Sequence, residues 1–217
     1  MRKNRLAPFF FIIAGIILIV LSYFYIDRQV VWFLVAHHSR NFSPLKIFAN
    51  DIVSILIALV FLYYVYYFFK LVINNVSALD KKLIVSCNAV VIGLFLKNVL
   101  KDIFGRYWPA TFVCNNPSLV SNHAYGFNWF KAGTTYASFP SGHTTFIFSF
   151  SVSMWFLFPK LRWLWALLTI LVTLGLIGMY FNFVSDVIAG AILGSLVGFY
   201  SVNNYKSKAY IQQEKSK

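Results

Sequence analysis

A predicted turn at the start of an apolar block contains the residues best suited to chemistry. Residues 139–145 read Phe-Pro-Ser-Gly-His-Thr-Thr; Pro and Gly favour a turn, after which a helix is predicted to begin near His143. The first amides of a helix have no intrahelical partner and can hold an anion. Ser141 adds a hydroxyl, Gly142 adds an amide, and His143 exchanges a proton near neutral pH. An ordinary N-cap turn with an unrelated histidine fits the same pattern, and these residues alone do not decide.

Two cations lie at the end of another apolar block. Lys101 and Arg106 flank Gly105, and two cations at a helix mouth can clamp the oxygens of a phosphate. The alternative is that both side chains are snorkelling interfacial charges beside an aromatic anchor. On local grounds both interpretations stay open.

A third segment contains a rare carboxylate. The chain has only six Asp and Glu residues, and Asp186 opens the last apolar block. Asn182 lies four positions earlier, so the two side chains are predicted to meet across one helical turn. Alternatively, Asp186 only caps its helix and complements the helix dipole. All three segments fall on the same predicted face, which favours one shared phosphate site.

The composition indicates a membrane protein. Of 217 residues, 59% are hydrophobic and only 12% are charged, whereas soluble domains contain about 25% charged residues. The apolar residues form long blocks, as a bilayer requires. The net charge of +13 does not indicate a nucleic-acid partner, because no basic stretch lies on a soluble helix or sheet and membrane proteins have basic loops.

Six apolar blocks predict an all-α, polytopic membrane helix bundle of about six transmembrane helices. The blocks run roughly over residues 8–26, 52–69, 83–100, 144–158, 163–181 and 187–202. We expect one membrane-embedded domain over residues 1–205, with its motifs at 97–190, and a polar cytoplasmic tail at 206–217.

The distribution of basic residues predicts the orientation. The termini and the loops on their side contain twelve of the nineteen Lys and Arg residues, and the loops on the opposite side contain six. Because cytoplasmic loops are the more basic ones, both termini are predicted to be cytoplasmic. The loops at 27–51 and 101–142, with the three candidate segments, are then predicted to face outward, as in a bacterial inner membrane with its site toward the periplasm.

The motifs resemble the type 2 phosphatidic acid phosphatase family, which includes membrane lipid phosphatases and the vanadium haloperoxidases. Its pattern is Lys, six residues and Arg-Pro; then Pro-Ser-Gly-His; then Ser-Arg, five residues, His, three residues and Asp. The similarity covers residues 97–190. The stretches 125–127 and 136–139, before the Pro-Ser-Gly-His turn, are similar to those of bacterial lipid A phosphatases.

The resemblance assigns roles residue by residue. Lys101, Ser141 and Gly142 match phosphate-binding positions, His143 matches the acid that protonates the leaving alcohol, and Asp186 matches the orienting Asp. The family arginines, however, are replaced at two positions.

One replacement is Trp108, which stands before the matching Pro109, and the other is Leu176, which follows Gly175 where the family has Ser. Arg106 is the candidate for the guanidinium missing at position 108.

Asn182 is the most consequential departure, because it occupies the position of the nucleophilic His. An amide nitrogen has a delocalised lone pair and does not attack phosphorus usefully at neutral pH, so loss of the nucleophile costs several powers of ten in rate. His123 in the long loop is a possible but poorly supported substitute.

Two functions from different classes follow. The first is a lipid phosphatase that hydrolyses a phosphate monoester or diphosphate of lipid A, undecaprenyl diphosphate or phosphatidylglycerol phosphate type. The alternative is a pseudophosphatase that binds a phospholipid headgroup without turnover. The resemblance implies no metal or other cofactor, and the expected partners are a lipid phosphate and membrane lipids. A vanadate-dependent oxidase is disfavoured because that chemistry uses the missing His, and no pair of broken helices supports a transporter.

Overall fold

The protein is described here by a computed structural model that covers residues 7–112 and 115–215. Within these residues the regular secondary structure is helical, and extended residues form only isolated bridges. The α-helices are Ala7–Tyr25 (α1), Asp27–Ala36 (α2), Ser43–Lys46 (α3), Ile52–Val72 (α4), Ala78–Phe104 (α5), Leu119–Asn122 (α6), Gly142–Leu157 (α7), Arg162–Gly178 (α8) and Val184–Lys215 (α9). Short 3-10 helices lie at Ser39–Asn41, Thr134–Tyr136 and Pro159–Leu161, and a π-helix at Ile47–Asp51.

The predicted all-α membrane bundle is confirmed, and each apolar block is a helix. Among the described residues, four helical stretches are long and apolar enough to span a bilayer: Ser43–Val72, Ala78–Phe104, Pro159–Gly178 and Val184–Ile211. A fifth span results if α1 and α2, which meet at a bend of 52°, are taken together. Helix α7 has only 16 residues, nine of them buried, so it is enclosed by other helices.

Two regions differ from the sequence-based expectation. The expected outer loop at 27–51 is mostly helical, because α2, α3 and the π-helix occupy it. The expected polar tail continues α9 to Lys215, since no Gly or Pro follows Gly198 to interrupt the helix. The N-terminal basic residues at positions 2, 3 and 5, and residues 216 and 217, lie outside the described residues.

Three glycines, spaced four residues apart, bring α9 against α7 along their whole contact. A Cβ atom on Gly190, Gly194 or Gly198 would lie 2.6 Å, 2.6 Å and 2.9 Å from the backbone oxygens of Ser141, Thr145 and Ser149, respectively. Small residues at this spacing let helix backbones approach closely in membranes. The matching order of the contacts shows that α7 and α9 are parallel and that both begin at the same end of the bundle.

Replacing Gly194 by Val is expected to destabilise the protein by about 1–3 kcal/mol, because no flexible side chain can yield to the new Cβ: the nearest atom is the backbone oxygen of Thr145. Thermal unfolding in detergent would measure the change. Leu174→Val, on the exposed face of α8, is the matched control and should shift the midpoint little. Equal midpoints for the two variants would show that the α7–α9 contact is not tightly packed.

Gly105 ends α5 and turns the chain into the long loop. It has a φ of +49°, and a Cβ atom there would lie 2.1 Å from the backbone oxygen of Asn128, so only glycine fits. The amide of Arg106 then donates to the oxygen of Tyr136 at 2.7 Å, and that of Ser138 donates to the oxygen of Arg106 at 3.2 Å. The loop therefore folds back over the beginning of α7.

The segment before α4 packs on the end of α8. A Cβ atom on Gly175 would lie 2.7 Å from the backbone nitrogen of Ala49, so the π-helix lies directly against α8. The Ser39 hydroxyl donates to the oxygen of Gly178 at 2.6 Å, and Arg40 Nε donates to the oxygen of Met179 at 3.1 Å. These bonds satisfy carbonyls that a helix end leaves unpaired. This packing holds Asn50, at the end of the π-helix, beside the candidate site.

Candidate active site

A cavity of about 440 Å³ lies where α5 ends and α7 begins. Its polar lining residues are Asn50, Lys97, Lys101, Gly142, His143 and Asn182. Its apolar and aromatic lining residues are Val53, Ile57, Leu94, Trp108, Phe112, Phe146 and Phe181. The cavity therefore has a cationic polar part next to a hydrophobic part, as an amphiphilic ligand requires.

The three candidate segments converge at this cavity. Lys101, Gly142, His143 and Asn182 line it together, although Lys101 and Asn182 are far apart in the sequence. Ser141 lies directly behind Asn182, and their side chains are joined by a hydrogen bond of 2.9 Å. Four of the seven predicted site residues thus share one cavity, and a fifth contacts it through Asn182.

Ser141 has its hydrogen-bonding capacity engaged within the protein. Its Oγ caps α7 by accepting from the amide of Thr144 at 3.4 Å, and it also accepts from the Thr144 hydroxyl at 2.9 Å. Its own proton is donated to Asn182 Oδ1. Asn182 Nδ2 in turn donates to the backbone oxygen of Ser138 at 3.1 Å. The Asn182 amide is therefore held at both ends.

Arg106 does not line the cavity. Its guanidinium is 0% exposed and forms ion pairs with Asp186 and, at 2.7 Å, with Asp27. It also donates to Ser185 Oγ at 2.6 Å and to Tyr125 Oη at 3.2 Å. This placement does not support the prediction that Arg106 clamps a phosphate, because both terminal nitrogens already bind carboxylates.

The charges around Arg106 explain how it remains ionised inside the protein. Burial alone would lower the pKa of the guanidinium, but the neighbouring Asp186 and Asp27 carboxylates outweigh burial and raise it. The backbone amide of Ser185 donates to Asp27 Oδ1 at 2.9 Å. The network thus joins α2, the end of α5 and the beginning of α9.

Among the described residues, no hydrogen bond joins Asp186 to Asn182, although the four-residue spacing predicted that their side chains would meet. Asp186 Oδ2 accepts from the Ser138 hydroxyl at 2.6 Å and from the amide of Phe183 at 3.0 Å, and its Oδ1 accepts from Arg106. The carboxylate therefore caps α9 and neutralises Arg106, while the backbone oxygen of Ser138 holds residue 182.

The polar part of the cavity beside α7 contains two lysines and a histidine. Lys101 Nζ donates to the backbone oxygen of Ala137 and lies 5.3 Å from the Trp108 ring centroid. His143 is the second residue of α7, outside the candidate spans. Burial, followed by the charges of Lys101 and Lys97, lowers its pKa to about 4. Lys97 was not identified as a site residue from the sequence.

The positions that depart from the family pattern have structural roles. Trp108 Nε1 donates to the backbone oxygen of Thr134 at 2.7 Å, and Leu176 is 0% exposed within the apolar core. Neither position therefore brings a guanidinium to the cavity. His123 is not among the residues that line the cavity and lies 5.8 Å, centroid to centroid, from the Trp32 ring. The placement of His123 does not support a role as substitute nucleophile.

The fold and the motif region identify the class of protein. Residues 82–209 match the model of the PAP2 superfamily, which is more than half of the chain, so the chain belongs to this superfamily. Together with the apolar spans, this makes it an integral membrane protein of the PAP2 superfamily.

A solved structure has a similar fold. It is the crystal structure of the first transmembrane PAP2-type phosphatidylglycerolphosphate phosphatase from Bacillus subtilis, with a TM-score of 0.54 and 17% sequence identity. The similarity covers 94% of this chain and 97% of that chain. No curated protein matches the sequence significantly.

Proposed function

We propose that this protein binds the phosphate headgroup of a membrane lipid in the cavity and does not form a phosphoenzyme. The observation that carries the proposal is the composition of the cavity wall. Lys97, Lys101 and His143 form one part, and apolar side chains such as Val53 and Ile57 form another. A phosphate fits the first part and an acyl or isoprenoid chain fits the second.

The side chain at position 182 argues against covalent turnover. Asn182 reaches the cavity but its amide is bound by Ser141 and by the backbone of Ser138, and an amide is not a usable nucleophile. His143 is the one histidine among the described residues that line the cavity. The chain therefore retains groups that bind a phosphate, but the side chain at position 182 cannot act as the nucleophile that receives the phosphoryl group.

A second candidate is hydrolysis by direct attack of water. His143 favours it, since its ring forms no hydrogen bond within the described ranges and faces the cavity beside Lys101. Water would attack phosphorus, the bond to the lipid oxygen would break, and His143 would relay a proton to that oxygen. An anion between the two lysines would offset their charges, which favours the protonated ring.

The lipid and the membrane face belong to the same proposal. The similar Bacillus protein acts on phosphatidylglycerolphosphate, which supports a lipid of this type beside lipid A and undecaprenyl diphosphate types. The basic-residue distribution in the sequence supports cytoplasmic termini and a cavity that faces outward.

Short-chain phosphatidic acid tests the proposal with purified protein in nanodiscs. We expect it to raise the unfolding midpoint progressively as its concentration increases, because a ligand that binds only the folded state stabilises it. The same-chain diacylglycerol, which lacks the phosphate, should raise it less. Phosphate release should not exceed that of a Lys101→Met variant.

Two results would contradict the proposal. Equal midpoint shifts by both lipids would show that the phosphate group does not contribute to binding. Release of phosphate well above that of Lys101→Met would favour hydrolysis by water over binding alone.

A further inference from the structure

We propose that Lys97 is a second phosphate-binding residue of the cavity, where it replaces the guanidinium that positions 108 and 176 do not provide. The proposal rests on the proposed function and adds a residue that the family pattern does not contain. The ligand group is a phosphate that carries two negative charges, whether it is free or the terminal group of a lipid.

The first support is the position of Lys97 on α5. It lies four residues before Lys101, and residues at this spacing are neighbours on one helix face. Both line the cavity with His143. The lysine stem crosses the beginning of α7, since a Cβ atom on Gly142 would lie 3.1 Å from Lys97 Cδ and 3.5 Å from Lys97 Nζ. The ammonium is therefore beside the first amides of α7.

The second support is that Lys97 has no partner within the part of the chain that the structure describes. No hydrogen bond or ion pair involves its ammonium, whereas Asp27 and Asp186 are both bound to Arg106. The backbone amides of Gly142 and His143 also donate no hydrogen bond to the described residues. A half-buried cation without a counterion is costly, and an anion beside it and these amides would remove the cost.

Snorkelling does not explain this placement. Snorkelling lysines on a lipid-facing surface extend along that surface to reach water. The lipid-facing side of α5 is formed by Phe95, Leu96 and Val99, which are all exposed. Lys97 instead turns toward α7 and the cavity. Its direction fits a ligand between α5 and α7.

Titration of the full chain in nanodiscs with inorganic phosphate tests the proposal, and calorimetry measures the binding affinity. Lys97→Met is expected to weaken binding about 10- to 100-fold, as expected for loss of a charged hydrogen-bond donor. Lys97→Arg should restore most of the affinity, because it keeps the charge and the reach. The control is Lys81→Met, at the opposite end of α5 and exposed, which should bind as the unchanged protein does. A second titration with pyrophosphate compares a monophosphate with a diphosphate group.

The outcomes separate the two proposals. Unchanged affinity in Lys97→Met, with loss of affinity in Lys101→Met, would overturn the role of Lys97 and leave the proposed function intact. The role of Lys97 would also be overturned if Lys97→Arg lost as much phosphate affinity as Lys97→Met. A positive charge at position 97 would then not contribute to phosphate binding. If the unchanged protein binds neither inorganic phosphate nor short-chain phosphatidic acid, both proposals fail. An unfolding midpoint for each variant confirms that folded protein is compared.

Discussion

Replacing Asn182 by His is expected to raise the rate of phosphate release from a lipid phosphate by on the order of a hundredfold or more. Removal of a covalent nucleophile costs several powers of ten in enzymes that depend on it. Restoring one should recover part of that loss. The gain should remain below a full restoration, because Trp108 and Leu176 still stand where the family has arginines.

The surroundings of residue 182 are suited to a histidine. Asn182 Nδ2 donates to the backbone oxygen of Ser138 at 3.1 Å, and the Nδ1–H of a histidine can donate to the same oxygen. That bond selects the tautomer whose Nε2 carries a lone pair, and Nε2 would then face the cavity. The carbonyl thus takes the orienting role that the family gives to Asp186, whose oxygens are bound to Arg106 and Ser138.

Release of inorganic phosphate from short-chain phosphatidic acid measures the gain. Asn182→Gln is the matched control, since it preserves the amide and changes only its reach. Labelled phosphate on the protein after acid-free denaturation would identify the phosphohistidine. If Asn182→His binds the lipid as the unchanged protein does and yet releases no more phosphate than Asn182→Gln, the missing guanidiniums limit the chemistry.

Replacing Arg106 by Met is expected to lower the free energy of unfolding by about 3–5 kcal/mol, the typical cost of removing one partner of a buried ion pair. The substitution leaves Asp27 and Asp186 uncompensated, and both carboxylates are 0% exposed. The effect should exceed that of any single substitution on the lipid-facing surface. Thermal unfolding in detergent, with the midpoint as readout, measures it.

Two further variants test whether the loss in the free energy of unfolding comes from the buried ion pairs of Arg106. Arg28→Met, at an exposed position of α2, is the control and should have little effect. Adding Asp27→Asn to Arg106→Met should cost less than the sum of the two single changes, because the neutral side chain no longer needs a counterion. A normal midpoint for Arg106→Met, together with lost phosphate binding, would instead assign Arg106 to the ligand.

The convergence of the three segments could be predicted from the sequence because each contains local signals for a helix end. Gly105 follows a long apolar block, the Pro-Ser-Gly turn precedes another, and Asp186 opens a third. Helices of a bundle that alternate in direction bring such ends to one side. The sequence therefore indicated which segments would meet at one end of the bundle, without indicating which of their side chains would line the cavity or how the others would pair.

The side-chain pairing depended on residues that sequence reasoning had placed in a loop. Asp27 begins α2 in the expected loop, and its carboxylate turns Arg106 away from the cavity. The six carboxylates of the chain were a usable signal, since a buried cation in an apolar protein needs one of them. Asn50 lines the cavity because it belongs to a π-helix, and a π-helix has no clear pattern in a single sequence.

The repeat of Gly190, Gly194 and Gly198 is a sequence signal for a close contact between helices. Small residues at four-residue spacing mark a helix face that another backbone approaches. The identity of the partner helix could not be read from it, because the spacing describes only one of the two surfaces. The structure supplies α7 as that partner.

The parallel arrangement of α7 and α9 has an electrostatic consequence. Each helix carries roughly half a positive elementary charge at its N-terminus, and the glycine contact holds these like poles side by side. Asp186 offsets the pole of α9, whereas the first turn of α7 contains no acid. The beginning of α7 thus keeps an uncancelled positive field at one end of the bundle, in surroundings of low permittivity. Any anion that enters there strengthens the fold itself, so occupancy and folding stability are thermodynamically linked.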